Sequence, residues 1–258
     1  MNMKKLLLSS FYGSLLMTLL YLVLLYPLIL INKFEWYDLL LVALSISPGI
    51  LIMMFIYNLD EEDKEPLWLL AICFILGAIN LHIDVDLLEY LFSFINMENR
   101  MLQVGGEALT VAITEEVLKF IVVILIVYPN KEFNEPFDGI VYSIFVGMGF
   151  ATAENLTFVL QGNTSVAVFR MLSAIPAHFV FGVVMGYYLG IAKSRKRKEF
   201  FYISISLFAP IILHAFYDYF LYLDFLPGLW IGGILTLVLA LFFAKSAIIE
   251  HLGSKPNS

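Results

Sequence analysis

Long apolar runs, each close to the length of a membrane-crossing helix, alternate along this chain with short polar stretches. Eight can be drawn, at approximately 6–32, 36–57, 67–83, 104–128, 137–160, 166–192, 200–222 and 228–248. About 20 apolar residues at ~1.5 Å rise each cross a hydrocarbon layer ~30 Å thick. The pattern therefore predicts an all-α fold, a polytopic membrane helical bundle of about eight transmembrane helices. The first run follows Lys4 and Lys5 and has the outline of a signal peptide. Its apolar stretch is long for that role and no small-residue cleavage site closes it, so a retained helix is expected. Residues 84–103 carry Asp84, Asp86, Glu89, Glu98 and Arg100 and are too polar to span. They are expected as a loop or as a helix lying at the interface.

Composition agrees with this pattern and narrows it. Of 258 residues, 61% are apolar or aromatic and only 14% are charged, which excludes both a water-soluble domain and a disordered chain. No internal repeat or linker divides the sequence, so residues 1–258 read as one integral-membrane domain. The acidic balance, 22 Asp and Glu against 15 Lys and Arg, gives no reason to expect nucleic acid as a partner. The lone Cys73 offers neither an internal disulfide nor a cysteine-pair metal site.

The placement of the basic residues predicts orientation. With eight spans and a cytoplasmic N-terminus, eleven of them fall on the cytoplasmic side, among them Lys4, Lys5, Lys64, Lys131 and the run 193–198. Only Lys33 and Arg100 fall outside, while Lys119 and Arg170 lie within spans. Short basic loops resist translocation, so both termini are expected in the cytoplasm.

Ionisable groups inside spans are costly, and four clusters stand out. On the fourth span Glu115 and Glu116 precede Lys119 by four and three residues, which puts the ammonium on the carboxylates' side of the helix. Such a pair suits a general base; a structural ion pair is the competing reading. On the fifth span Glu154 and Asn155 lie toward the outer end, where Glu154 either pairs with Arg170 or joins a site. On the sixth, Pro176 and His178 precede Gly182, Gly186 and Gly190, whose four-residue spacing reads as a packing stripe. On the seventh, His214 and Asp218 share one helical face. Counted from the helix ends, Glu115, His178 and His214 all fall in the central to outer half of the membrane, so they can converge on one hydrated cavity.

These blocks resemble the PrsW family of intramembrane proteases, within the wider Abi superfamily that includes the CAAX prenyl proteases. The resemblance lies in Glu115-Glu116-x-x-Lys119, in Phe150-x-x-x-Glu154 with Asn155, in His178 with Gly182, and in His214-x-x-x-Asp218. Asp60 to Pro66 and Phe137 to Tyr142 are also similar to that family, and the likeness covers roughly 58–220. It implies peptide-bond hydrolysis in or near a bacterial plasma membrane, on a single-span membrane protein such as an anti-sigma factor. In the mechanism the residues support, Glu115 or Glu116 activates water, with Glu115 preferred for its spacing to Lys119. His178 and His214 hold the oxyanion or pass a proton to the leaving amine, and Lys119, Glu154, Asn155 and Asp218 support them. No cofactor is favoured. Zinc is the alternative, held by His178, His214 and Glu115 or Glu116, although no HExxH motif is present. A GxSG serine motif and the GxGD partner of aspartyl types are absent, and a proton-coupled transporter or a non-catalytic scaffold remain readings of another class.

Overall fold

The computed structural model describes residues 36–60, 63–92, 94–95, 97–161 and 164–253; the helix expected at 6–32 lies outside them. Among the described residues the fold is all-helical. Eight α-helices follow in order: α1 Trp36–Leu59, α2 Leu67–Phe92, α3 Arg100–Val122, α4 Pro136–Gln161, α5 Thr164–Leu172, α6 Ala174–Ser194, α7 Glu199–Tyr222 and α8 Trp230–Gly253. A π-helical turn, Val123–Val127, prolongs α3.

Two expectations change. Residues 84–103 are mostly not a loop: α2 continues unbroken to Phe92 and α3 begins at Arg100. Of the acids that make this stretch look too polar, Asp84 is buried on α2, which packs against α3 and α4. The expected span 166–192 is broken at Ser173 into α5 and α6. Pro176 sits in the first turn of α6, where its missing N–H cannot serve Leu172 and a new helix start tolerates it.

By length and composition, six described segments can cross a membrane: Leu40–Leu59, Leu67–Asp84, Pro136–Val159, Ser165–Ser194 (which takes in α5 and α6), Lys196–Tyr222 and Trp230–Gly253. α3, with Glu107, Glu115, Glu116 and Lys119 in its 23 residues, is too charged for that class yet packs inside the bundle against α2 and α7. The central helix is α4. Of its span, 89% lies inside the protein, against 28% for Lys196–Tyr222, which identifies α7 as a helix with a broad lipid-facing side. Large side chains such as Phe137, Ile140, Tyr142, Phe145 and Phe150 on α4 are completely enclosed.

α6 approaches α4 through the glycine stripe. A Cβ on Gly186 would run into the Gly139 carbonyl, and one on Gly190 into the Pro136 carbonyl. The two backbones are in contact, and small residues are what permit it. Gly186→Leu is expected to destabilise the fold by about 3 kcal/mol or more, the upper end of overpacking costs. The check is the thermal unfolding midpoint in detergent; an unchanged midpoint would show that the helices separate freely.

Where α2 and α4 begin, two blocks distant in sequence meet. Asp138 accepts from the backbone N–H groups of Asn134 (2.8 Å) and Glu135 (2.7 Å), capping α4 from its first turn. The Tyr142 hydroxyl donates to Glu65. Burial first, and then the charge of Asp138, push the Glu65 carboxyl up to about 10, so it is protonated at neutral pH.

Candidate active site

Asp84 lies 18 residues past Pro66 on α2, at the level where Glu115, Glu154 and Asp218 gather. Glu154 is 16 residues beyond Asp138 on α4, or ~24 Å along the axis. The polar cluster is therefore at the other end of the bundle from Glu65.

At its centre is the ammonium of Lys119. It donates to Glu115 Oε2 at 2.9 Å and Glu116 Oε1 at 2.8 Å, and meets His178 Nδ1 at 3.2 Å. One face of the Phe150 ring lies 4.2 Å from Nζ. A lysine has three N–H donors and no acceptor, so all three are engaged and His178 Nδ1 must accept. The ring proton of His178 then sits on Nε2, which donates to Glu154 Oε2 at 3.0 Å. His178 is thus placed as a neutral imidazole of defined tautomer.

His214 has the opposite surroundings. Its Nδ1 lies 3.0 Å from Glu116 Oε1 and its Nε2 lies 3.2 Å from Asp218 Oδ2. Both partners are carboxylate oxygens, which accept when ionised, so both ring nitrogens donate and the imidazolium satisfies the arrangement. Phe181 stacks on this ring at 4.5 Å between centroids, and the two histidine rings are 5.7 Å apart.

Glu154 also pairs with Arg170, whose guanidinium reaches Oε1 at 2.8 Å. Arg170 Nε donates to Asn155 Oδ1 at 2.8 Å, and Asn155 Nδ2 donates to Ser45 O at 3.0 Å. α5 carries Arg170 to this pair. Glu154 is therefore both ion-paired with Arg170 and bonded to His178.

Glu115, Glu116, Lys119, Glu154, Asn155, His178, His214 and Asp218 all come together, from α3, α4, α6 and α7. A cavity of about 550 Å³ opens on them, with Glu115, Glu154, His178, His214 and Asp218 in its wall. Glu116 does not line it. The sequence reading missed Asp84, Tyr217 and Tyr222, which also line the cavity. Asp84 was assigned to the polar connection; the signal that would have found it is Asn80, Asp84 and Leu88 at four-residue spacing on a continuing α2. Asn80 Nδ2 donates to Leu118 O at 2.9 Å and ties that helix to α3.

Ligand atoms of Glu115, Glu116 and His214 lie within 4.8 Å of one another, close enough to hold one ion. His178 is outside this trio. A second acidic trio, Asp60, Glu65 and Asp138, occupies the opposite end.

Membrane-length helices that enclose carboxylates, two imidazoles of different character and a solvent-sized cavity define a membrane-embedded hydrolytic enzyme. Comparison with known proteins makes the class particular. Residues 65–246 match the family described as PrsW family intramembrane metalloprotease. Protease PrsW of Geobacillus kaustophilus is 34% identical over 205 residues, covering 79% of this chain and 88% of the relative. Protease PrsW of Bacillus subtilis is 33% identical over 187 residues, covering 70% and 82%. That of Clostridioides difficile is 32% identical over 194 residues, covering 72% and 80%. No solved structure matches. The chain belongs to the PrsW family of intramembrane proteases: it is a multi-pass membrane peptidase.

Proposed function

We propose that this protein hydrolyses a peptide bond of a single-span membrane protein, with Glu115 as the base that activates water. The observation that carries the choice is the unequal exposure of two adjacent carboxylates. Glu115 lines the cavity, whereas Glu116 is 0% exposed and its Oε1 is held by both Lys119 and His214. A base must reach the water whose proton it takes.

In this reading Glu115 takes the proton as the water oxygen adds to the carbonyl carbon. The positive charge of the His214 imidazolium, whose two N–H groups are held by Glu116 and Asp218, stabilises the oxyanion electrostatically, with His178 beside it. The proton then passes to the amide nitrogen as the C–N bond breaks. Lys119 holds and aims Glu115, Glu116 and Asp218 orient His214, and Glu154 with Asn155 fixes His178. The family resemblance extends the proposal to a single-span anti-sigma factor as substrate. It also suits eight spans with both termini in the cytoplasm of a bacterial plasma membrane.

Zinc gives a second reading, favoured by the trio of donors within 4.8 Å and by Glu116 Oε2, a buried oxygen with no partner among the described residues. One nitrogen and carboxylate oxygens suit zinc, so Glu115, Glu116 and His214 would hold it. Bound there, zinc would supply a Lewis acid for the carbonyl and for water. The Lys119 ammonium already bridges both carboxylates at 2.8–2.9 Å and competes for that position, which supports the glutamate reading.

The test uses the purified full-length protein in detergent with a tagged single-span membrane protein. Cleavage is expected to persist within about twofold after exhaustive chelation. Loss of cleavage that zinc restores would replace the glutamate mechanism with the metal one.

A further inference from the structure

Two residues of the cavity wall each carry a buried polar atom with no hydrogen-bond partner among the described residues. One is Asp84 Oδ1 on α2; the other is the Tyr217 hydroxyl on α7. Both residues are well enclosed, at 2% and 5% exposure. Thr114 lies near Asp84 and Ser173 near the Tyr217 hydroxyl, but both give their hydrogen to backbone carbonyls, Val111 O at 3.0 Å and Phe169 O at 2.7 Å, and neither stands in hydrogen-bonding geometry to Asp84 Oδ1 or the tyrosine oxygen. Leaving an acceptor and a donor unpaired in one cavity costs the folded state free energy. Such atoms are retained where something outside the protein completes them.

Their chemistry is complementary to one kind of ligand. A carboxylate oxygen accepts and a phenol donates, and a peptide backbone offers an N–H and a C=O at every residue. A membrane-spanning substrate arrives with those groups paired inside its own helix. For one peptide bond to be attacked, the segment around it must unwind, and each freed group then needs a new partner away from water. α3, which carries Glu115, packs against both α2 and α7. The two unpaired atoms therefore come from the helices on either side of the one that bears the base.

We propose that Asp84 and Tyr217 grip the unwound substrate backbone beside the bond to be cut, Asp84 Oδ1 accepting from a substrate N–H and the Tyr217 hydroxyl donating to a substrate C=O. This rests on the peptidase reading of the cavity and adds its recognition rule. The enzyme binds main chain, so it selects substrates by how readily they unwind at the right depth rather than by particular side chains. In Glu154 both carboxylate oxygens, and in His178 both ring nitrogens, already have protein partners.

The experiment measures cleavage of a tagged single-span membrane protein by full-length Tyr217→Phe, Asp84→Leu and Asp84→Asn variants in detergent, together with their unfolding midpoints. Tyr217→Phe is expected to lower kcat/KM by about three- to tenfold, and Asp84→Leu by about ten- to a hundredfold, mainly through KM. Asp84→Asn keeps an acceptor oxygen and is expected to recover most of the loss. Because Tyr217→Phe and Asp84→Leu each remove an unpaired buried group, their unfolding midpoints should stay level or rise. Wild-type kcat/KM in both Tyr217→Phe and Asp84→Leu overturns the proposal. So does a loss of activity that follows a fall in midpoint, which would mark the residues as structural. Glu115→Gln in the same assay separates the two readings: if it still cleaves, the base assignment fails while the grip is judged on Asp84 and Tyr217 alone.

Discussion

Glu115→Gln is expected to reduce cleavage by about 10²- to 10⁴-fold while leaving the protein folded. The amide is nearly isosteric, and its carbonyl oxygen can still accept from Lys119 where Oε2 now does at 2.9 Å. What it loses is the ability to take a proton from water. Glu116→Gln should behave differently. Glu116 Oε1 accepts from Lys119 and His214 at once, so a neutral amide there weakens the hold on both. That variant should lose thermal stability as well as activity. The measurement is kcat/KM beside the unfolding midpoint for each purified variant. Equal midpoints for both variants, or an active Glu115→Gln protein, would remove the distinction drawn between the two carboxylates.

The second large effect is expected at Lys119. Lys119→Met keeps the length and apolar body of the side chain but deletes the cation. Glu115 Oε2, Glu116 Oε1 and His178 Nδ1 then lose their shared donor in a region where Lys119 is 3% exposed. Breaking a buried ion pair from one side costs about 3–5 kcal/mol, because the remaining charge has no water to turn to. Lys119→Arg is not expected to rescue it, since a planar guanidinium cannot direct three donors tetrahedrally from one nitrogen. Thermal unfolding in detergent is the check. A Lys119→Met protein as stable as the wild type would mean that the two glutamates do not depend on this ammonium.

Much of this arrangement was legible in the sequence because intramembrane charge is rare. Glu115, Glu116, Lys119, His178, His214 and Asp218 could be found one helix at a time, from spacing and cost alone. Their partners could not. That His178 accepts from Lys119 and donates to Glu154, whereas His214 lies between two carboxylates, depends on helix rotations that no spacing encodes. Asp84 was hidden for another reason. Its acidic neighbours made the end of α2 look like a connection, and polarity averaged over a stretch does not reveal which face of a helix carries it. The break at Ser173 was missed because Pro176 is tolerated in a helix's first turn as well as at a kink. Glu65 and Tyr142, 77 residues apart, belonged to two blocks noticed separately, and only the contact of α2 with α4 explains why they occur together.

The dispersal of the site over α2, α3, α4, α6 and α7 has a consequence for biosynthesis. Membrane helices are delivered in chain order, so Glu115, Glu116 and Lys119 enter well before His178, and His214 arrives later still. Until α7 is in place, Glu116 lacks its imidazole, the wall that carries Tyr217 and Asp218 is missing, and no complete cavity exists. On the proposed mechanism, a half-made chain therefore cannot cut its neighbours at the insertion machinery. On that mechanism the peptidase becomes competent only when its seventh described helix has docked, and the order of synthesis itself acts as the safety catch.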